Sequence, residues 1–366
     1  MFYLLFFFGI YALLALNEKA NIRLKWNLFS VSLNNYINIF ALLLLALLAG
    51  GRAIIVGTDV RVYAIFHFKY NSNLNSINEF LSNYILEIGY EFENYLVTRF
   101  TNDIHWALFV NSVTVMIGLF FGAKFWSKKL AIPFSHIILF FMLTGCFNTS
   151  LNAIRQYMAI TTLFGFSKFF FERNLVISCL GVILAYSFHS SGLVGILIYL
   201  IFSKKQSVVL YVVCFSLLAI STVPQFLINL NILPSRFYRY FTENPTGQTE
   251  SVISLAKTVY LIIAITIWRR YRTPLSNIFL YISILNFGFS CLSFLFGALS
   301  RLELYFDIFD IVLLATFVNN YFISKTNKVI TLISMNIFYS ALFYWKFVVK
   351  NGSETFPYEW TWNLFS

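Results

Sequence analysis

The chain has 366 residues, 59% of them hydrophobic, 20% aromatic and 11% charged. A soluble domain carries about 25% charged residues, so there is too little polar surface for a water-soluble protein of this length, and the class is a polytopic membrane protein. The net charge of +11 does not point to nucleic acid as a partner, because most basic residues sit in short clusters between apolar runs.

A membrane helix needs about 20 mostly apolar residues, with a range of about 17–25. That length predicts an all-α bundle of about twelve spans, give or take one or two. They lie near 1–16, 31–50, 104–122, 131–149, 151–169, 174–188, 190–203, 207–230, 252–268, 275–297, 302–323 and 329–348. The sixth and seventh are short enough to form one bent pair. The opening MFYLLFFFGIYALLAL lacks a basic leader and a small-residue cleavage site, and reads as a retained first span. Basic residues follow every odd-numbered span: Lys19, Arg23 and Lys25; Lys124, Lys128 and Lys129; Lys168 and Arg173; Lys204 and Lys205; Arg269, Arg270 and Arg272; Lys325 and Lys328. Such loops stay cytoplasmic, which puts both termini on the outer side. Of the carboxylates, only Glu18 and Glu172 fall in those inner loops.

The whole chain, 1–366, reads as a single integral membrane domain without an internal repeat. Its large outer segments are 51–103 and 231–251. Within the first, the apolar positions 84, 85, 88, 92, 95 and 96 fit one helical face, as expected of an interfacial helix lying on the membrane. Cys146, Cys179, Cys214 and Cys291 make no CxxC pair and read as small buried hydrophobes. His67, His105, His136 and His189 are scattered, so neither a metal site nor a cofactor is expected.

The stretch NAIRQYMAI opens the fifth span at its outer end. On a continuous helix Asn152, Arg155, Gln156 and Ala159 share one face. A charge at that depth usually meets a partner or a watery cavity. The alternative is an arginine snorkelling to the interface, which would not need the amide and the asparagine beside it. Other polar residues gather on the same side. Arg52, Asp59 and Arg61 lie in GGRAIIVGTDVRVY, and His189 lies in FHSSG. Arg236 and Arg239 lie in PSRFYRYF, where anionic lipid head groups are an equal explanation. His189 equally fits a structural hydrogen bond. Arg301 and Glu303 open ALSRLELYFDIFD, from which Glu303, Asp307 and Asp310 form a carboxylate stripe expected to pair with arginines of neighbouring helices. Guanidinium forks suit a diphosphate, and a nearby carboxylate or histidine can take a proton from an attacking hydroxyl. An apolar groove between spans could hold a lipid tail. These features together describe a polyprenyl-diphosphate-linked sugar as substrate, handled on the outer face. No DxD motif or P-loop offers nucleotide binding.

RAIIVGTDVRVY, LEIGYEF, NAIRQYMAI, FHSSGLVG, SRLELYF and FPYEW resemble, in order and spacing, the EpsG-like branch of the Wzy-type polysaccharide polymerases. The similarity runs from about residue 50 to the tail. It departs at GTDVRVY, where the family often has an aromatic after the aspartate. The resemblance implies a bacterial inner-membrane glycosyltransferase similar to the multi-span enzymes of C type (GT-C-like). Such an enzyme moves a growing glycan from undecaprenyl diphosphate onto a fresh lipid-linked repeat unit, for O-antigen, capsule or exopolysaccharide. It implies that Arg155 and Arg301 hold the donor diphosphate, assisted by Gln156 and Arg52, with Arg236, Arg239 and Tyr305 as further substrate contacts and Asp59 or His189 as general base. The partners expected are the lipid-linked oligosaccharide, membrane lipid and, as an optional protein partner, a chain-length regulator. The rival reading is a transporter (flippase) of lipid-linked oligosaccharide, which should show pseudo-symmetric halves and charges along a central path. A membrane acyltransferase would need its histidine on the cytoplasmic side, and a purely structural component would not need outward arginines.

Overall fold

A computed structural model of the chain describes residues 2–20, 33–202, 211, 250–293 and 299–363. Among them the structure is helical, with one isolated β-bridge between Arg52 and Trp360. The helices are α1 (Phe2–Ala20), α2 (Leu33–Gly50), α3 (Ile65–Ser72), α4 (Ile77–Asn83), α5 (Ile88–Thr98), α6 (Ile104–Leu130), α7 (Phe134–Leu143), α8 (Cys146–Asn152) and α9 (Ile154–Gly165). Then follow α10 (Ser167–Phe171), α11 (Leu175–Phe188), α12 (Val194–Ile201), α13 (Glu250–Tyr271), α14 (Pro274–Ser293), α15 (Leu299–Thr316) and α16 (Lys325–Phe343).

Among the described residues, judged by length and composition, α1, α6, α14 and α16 with its extension to Val349 are long and apolar enough to cross a membrane, and the bent pair α7–α8 makes a fifth. Residues 34–50, 175–188 and 190–201 form shorter apolar helices. The chain divides into two compact units. One comprises residues 1–168, 179–193 and 334–366, the other residues 169–178 and 194–333.

In the first unit the run Ile137 to Leu143 of α7 is apolar on every side and fully buried, all at 0% exposure, as a helical stretch without a polar face must be. It bends by 57° into α8, and Gly145 supplies the left-handed residue at the bend, with φ of 87°. α6 packs along α9 and α2. Its Gly118 and Gly122 let the α9 backbone come close: a Cβ on Gly118 would lie 2.3 Å from the Thr161 carbonyl oxygen, and one on Gly122 would lie 2.2 Å from the Phe164 ring. Small residues four apart are how membrane helices approach without a hydrophobic driving force between them. Lys128 and Lys129 fall in the last turn of α6, where the helix dipole favours cations.

The expected helix 151–169 is not continuous. It breaks at Ala153 (φ −85°, ψ 59°), so Asn152 belongs to the end of α8 and does not share a helical face with Arg155. The cause is tertiary. The Asn152 side-chain oxygen accepts the Thr58 hydroxyl at 2.7 Å and the Asp59 N–H at 3.0 Å, so it is held by the segment after α2 instead of following the helix.

The helix expected to lie on the membrane is shorter than its apolar pattern suggests. α5 begins at Ile88, and Tyr84 caps α4. Ile88, Phe92 and Leu96 form the exposed stripe, while Tyr95 turns inward against Phe80. Cys146 is buried, but Cys179 and Cys291 lie on exposed helix faces, contrary to the expectation of burial, because their positions fall on outward sides of α11 and α14. Cys214 lies outside the described residues.

In the second unit α13, α14 and α15 pack together. Where an arginine was expected, Asp307 of the carboxylate stripe on α15 is ion-paired with Lys257 of α13. Asn286 of α14 donates to Asp307 at 2.8 Å and Asp310 at 2.5 Å, and Ser283 donates to Asp310 at 2.7 Å. A lysine and an amide on facing helices neutralise and solvate these groups, which would otherwise cost several kcal/mol each in a helical interior.

Candidate functional site

Four of the six motif stretches lie wholly in the first unit, at residues 52–63, 86–92, 152–160 and 356–360, and a fifth, FHSSGLVG at 188–195, has its first six residues there. The loop after α2 crosses the end of α8. Arg52 donates to the Leu151 carbonyl at 3.0 Å and to the Ala49 carbonyl. Gly57, with φ of 92°, lies so near that a Cβ would sit 3.0 Å from the Leu151 oxygen. The C-terminal segment fastens this loop from its other side: Ala53 N–H donates to Glu359 O at 2.7 Å, Gly57 N–H to Glu354 O at 2.8 Å, and Thr361 N–H to Gly51 O at 3.0 Å.

Arg155 opens α9 just past the break. Its guanidinium donates to Glu87 at 2.5 Å and lies over the rings of Tyr63, at 5.0 Å, and Tyr90, at 5.8 Å. Both members of the ion pair are mostly but not wholly covered, with side chains 16% and 19% exposed. Glu87 reaches this position because Gly89 lets the start of α5 press against the last turn of α11; a Cβ there would lie 2.5 Å from Ser187 Oγ. The second Glu87 oxygen accepts the Ser190 N–H at 3.1 Å. Burial alone would raise the Glu87 carboxyl, but Arg155, then the Ser190 N–H and His189, outweigh it and hold the group below its usual range. Burial pushes the Tyr90 phenol up, with Arg155 acting in the opposite direction.

His189 Nδ1 accepts the Ser191 N–H at 3.2 Å and lies 2.6 Å from Ser191 Oγ. Asp59 precedes the π-turn Val60–Ala64 and acts electrostatically on Tyr90. Gln156 is buried beside Arg155. The structure therefore gathers Arg155 and His189 around Glu87, with Asp59 acting on the same Tyr90 ring. Arg52 is fully buried with its guanidinium bonded to backbone carbonyls, and burial lowers it to about 10. Arg301, exposed at the start of α15, and Tyr305, buried one turn on, belong to the second unit. Arg236 and Arg239 lie outside the described residues.

Sequence reasoning missed Glu87, Tyr63 and Tyr90 as neighbours of Arg155. Glu87 and Tyr90 stand in LEIGYEF and Tyr63 closes RAIIVGTDVRVY, so the signal was their place in motif stretches. Among the described residues no group of three or more His, Cys, Asp or Glu is placed to hold a metal ion. An apolar cleft of about 320 Å³ lies between α2 and α6, lined by residues that include Leu42, Leu43, Met116, Ile117 and Phe121.

The model of the EpsG family matches residues 35–360. No curated protein and no solved structure shows significant similarity to the chain.

Proposed function

The chain belongs to the EpsG family, and from that membership and the setting of Arg155 we propose that it is a polysaccharide polymerase of the bacterial inner membrane. It transfers a growing glycan from undecaprenyl diphosphate to a new lipid-linked repeat unit on the outer face, where both termini lie. The observation that carries this reading is a guanidinium at a helix break, stacked over two tyrosines and already holding an anion. A diphosphate leaving group needs such a partner, because fixed cations aimed at developing charge are usually the largest single contribution to such catalysis.

An acceptor hydroxyl attacks the anomeric carbon of the donor sugar. The new C–O bond forms as the bond to the diphosphate breaks, and the diphosphate leaves with the electron pair. Arg155 takes up that charge, with Gln156 beside it. Arg52 assists by fixing the loop that carries Asp59. The hydroxyl proton passes to Asp59 or His189. Asp59 is favoured: with His189 Nδ1 accepting the Ser191 N–H, a neutral ring carries its proton on Nε2 and is a donor there. The cleft between α2 and α6 has the chemistry a polyprenyl tail requires. No cofactor takes part.

Arg155→Ala should express and insert normally yet abolish long chains when it replaces the wild-type gene, a loss of at least about 100-fold by analogy with removal of a charge-stabilising donor. Arg155→Lys should recover little, since a lysine lacks the planar fork. A normal ladder of glycan lengths on a gel from Arg155→Ala cells would reject the site.

A further inference from the structure

Three side-chain ion pairs between arginine or lysine and a carboxylate differ in setting. Arg61–Glu354 is on the surface, with side chains 48% and 49% exposed, where such pairs contribute little. Lys257–Asp307 is enclosed among helices. Arg155–Glu87 is intermediate, shielded enough to matter and open enough for an anion to reach. We propose that Glu87 is the resident counter-ion of Arg155, holding by its carboxylate the guanidinium edge that the donor diphosphate takes over on binding. This rests on the polymerase reading above and adds a residue to it.

Three features fit a pair made to exchange. Tyr63 and Tyr90 lie beneath the guanidinium, so Arg155 stays in place when its anion changes; a cation over ring faces keeps its edges for hydrogen bonds. Glu87 also keeps a second partner, the Ser190 N–H at 3.1 Å, so its carboxylate remains solvated after it gives up the arginine. The segment that carries it is fixed independently by the close approach of Gly89 to Ser187 and needs no ion pair to hold its course. The exchange also has a direction. A diphosphate carries more charge than one carboxylate and can use the fork bidentately, so it displaces Glu87, whereas a monoanion competes poorly. Glu87 thereby covers an otherwise uncompensated guanidinium and rejects weaker anions. It is a positioning residue: it sets the state of Arg155 and does not touch the reacting atoms.

The sign of one effect tests this. Purified full-length chain in detergent is titrated with a short-chain polyprenyl diphosphate, comparing wild type, Arg155→Ala, Glu87→Gln and Glu87→Asp. Glu87→Gln removes the competing charge and should bind the diphosphate about tenfold more tightly than wild type. Glu87→Asp, with a shorter carboxylate, should fall between the two. Equal or weaker binding by Glu87→Gln, as for a merely structural ion pair, overturns the proposal. If Glu87→Gln does not fold, Glu87→Asp decides in the same way: a gain supports the exchange, and no gain or a loss overturns it. Wild type that binds while Arg155→Ala does not leaves the polymerase reading standing whatever Glu87 does. Wild type that fails to bind removes that reading, and this inference with it.

Discussion

Arg155 combines an ion pair, two aromatic faces and a helix break, and each ties it to a different part of the chain. A neighbouring carboxylate has the opposite electrostatic situation. Glu93 on α5 accepts the Thr114 hydroxyl at 2.8 Å, and its other oxygen is buried without a partner. Burial pushes its carboxyl up to about 7 from an ordinary 4.5. A carboxyl raised in the folded state contributes stability that is fully present below the unfolded value and is lost as pH rises toward the folded one. Glu93→Gln should therefore raise the melting temperature by a few degrees at pH 8 and change it little at pH 5. The same shift at both pH values, read by thermal unfolding in detergent, would contradict the burial of a charge there. The arginine was legible in the sequence because a guanidinium beside an apolar run stands out. Glu87 was not, since a carboxylate in a polar outer segment is ordinary and its partner lies 68 residues away.

The helices show where local pattern suffices and where it does not. Apolar runs located α1, α2, α6 and α14 closely, because length and hydropathy decide whether a segment crosses a bilayer. The break between α8 and α9 has neither proline nor glycine at its centre. It comes from Asn152 bonding to Thr58 and Asp59, a tertiary cause that periodicity cannot register. The Lys257 partner of Asp307 was visible as a lone lysine within an apolar run and still escaped notice, since an arginine was expected in its place. The close approach of α6 and α9 through Gly118 and Gly122 gives a direct check on packing. Gly122→Leu must displace Phe164 and should cost about 1–3 kcal/mol or more, as overpacking does, lowering yield and melting temperature. Gly9→Leu on α1, where a Cβ would meet nothing within 4 Å, should be neutral. Equal tolerance of the two would mean that α6 and α9 do not touch along this seam.

For the molecule as a whole, composition settled the membrane class and motif order pointed to the family, which the match over residues 35–360 establishes. The placement of the motifs was not legible: four of the six stretches sit wholly in one unit, FHSSGLVG runs across the boundary at Val194, and SRLELYF with Arg301 belongs to the other. The basic loops predict the sidedness. A reporter fused after residue 128 should read cytoplasmic and one after residue 245 should read outside; the reverse would place Arg155 on the wrong face for an outer-side polymerase. The decisive measurement is polymerisation by the purified chain in proteoliposomes supplied only with a polyprenyl-diphosphate-linked repeat unit. Wild type should convert it to a ladder of longer glycans without any nucleotide sugar, and Arg155→Ala should leave single repeats. A wild-type chain that carries the lipid-linked unit across the bilayer without lengthening it, or an Arg155→Ala chain that builds the same ladder, would contradict a polymerase built around this arginine.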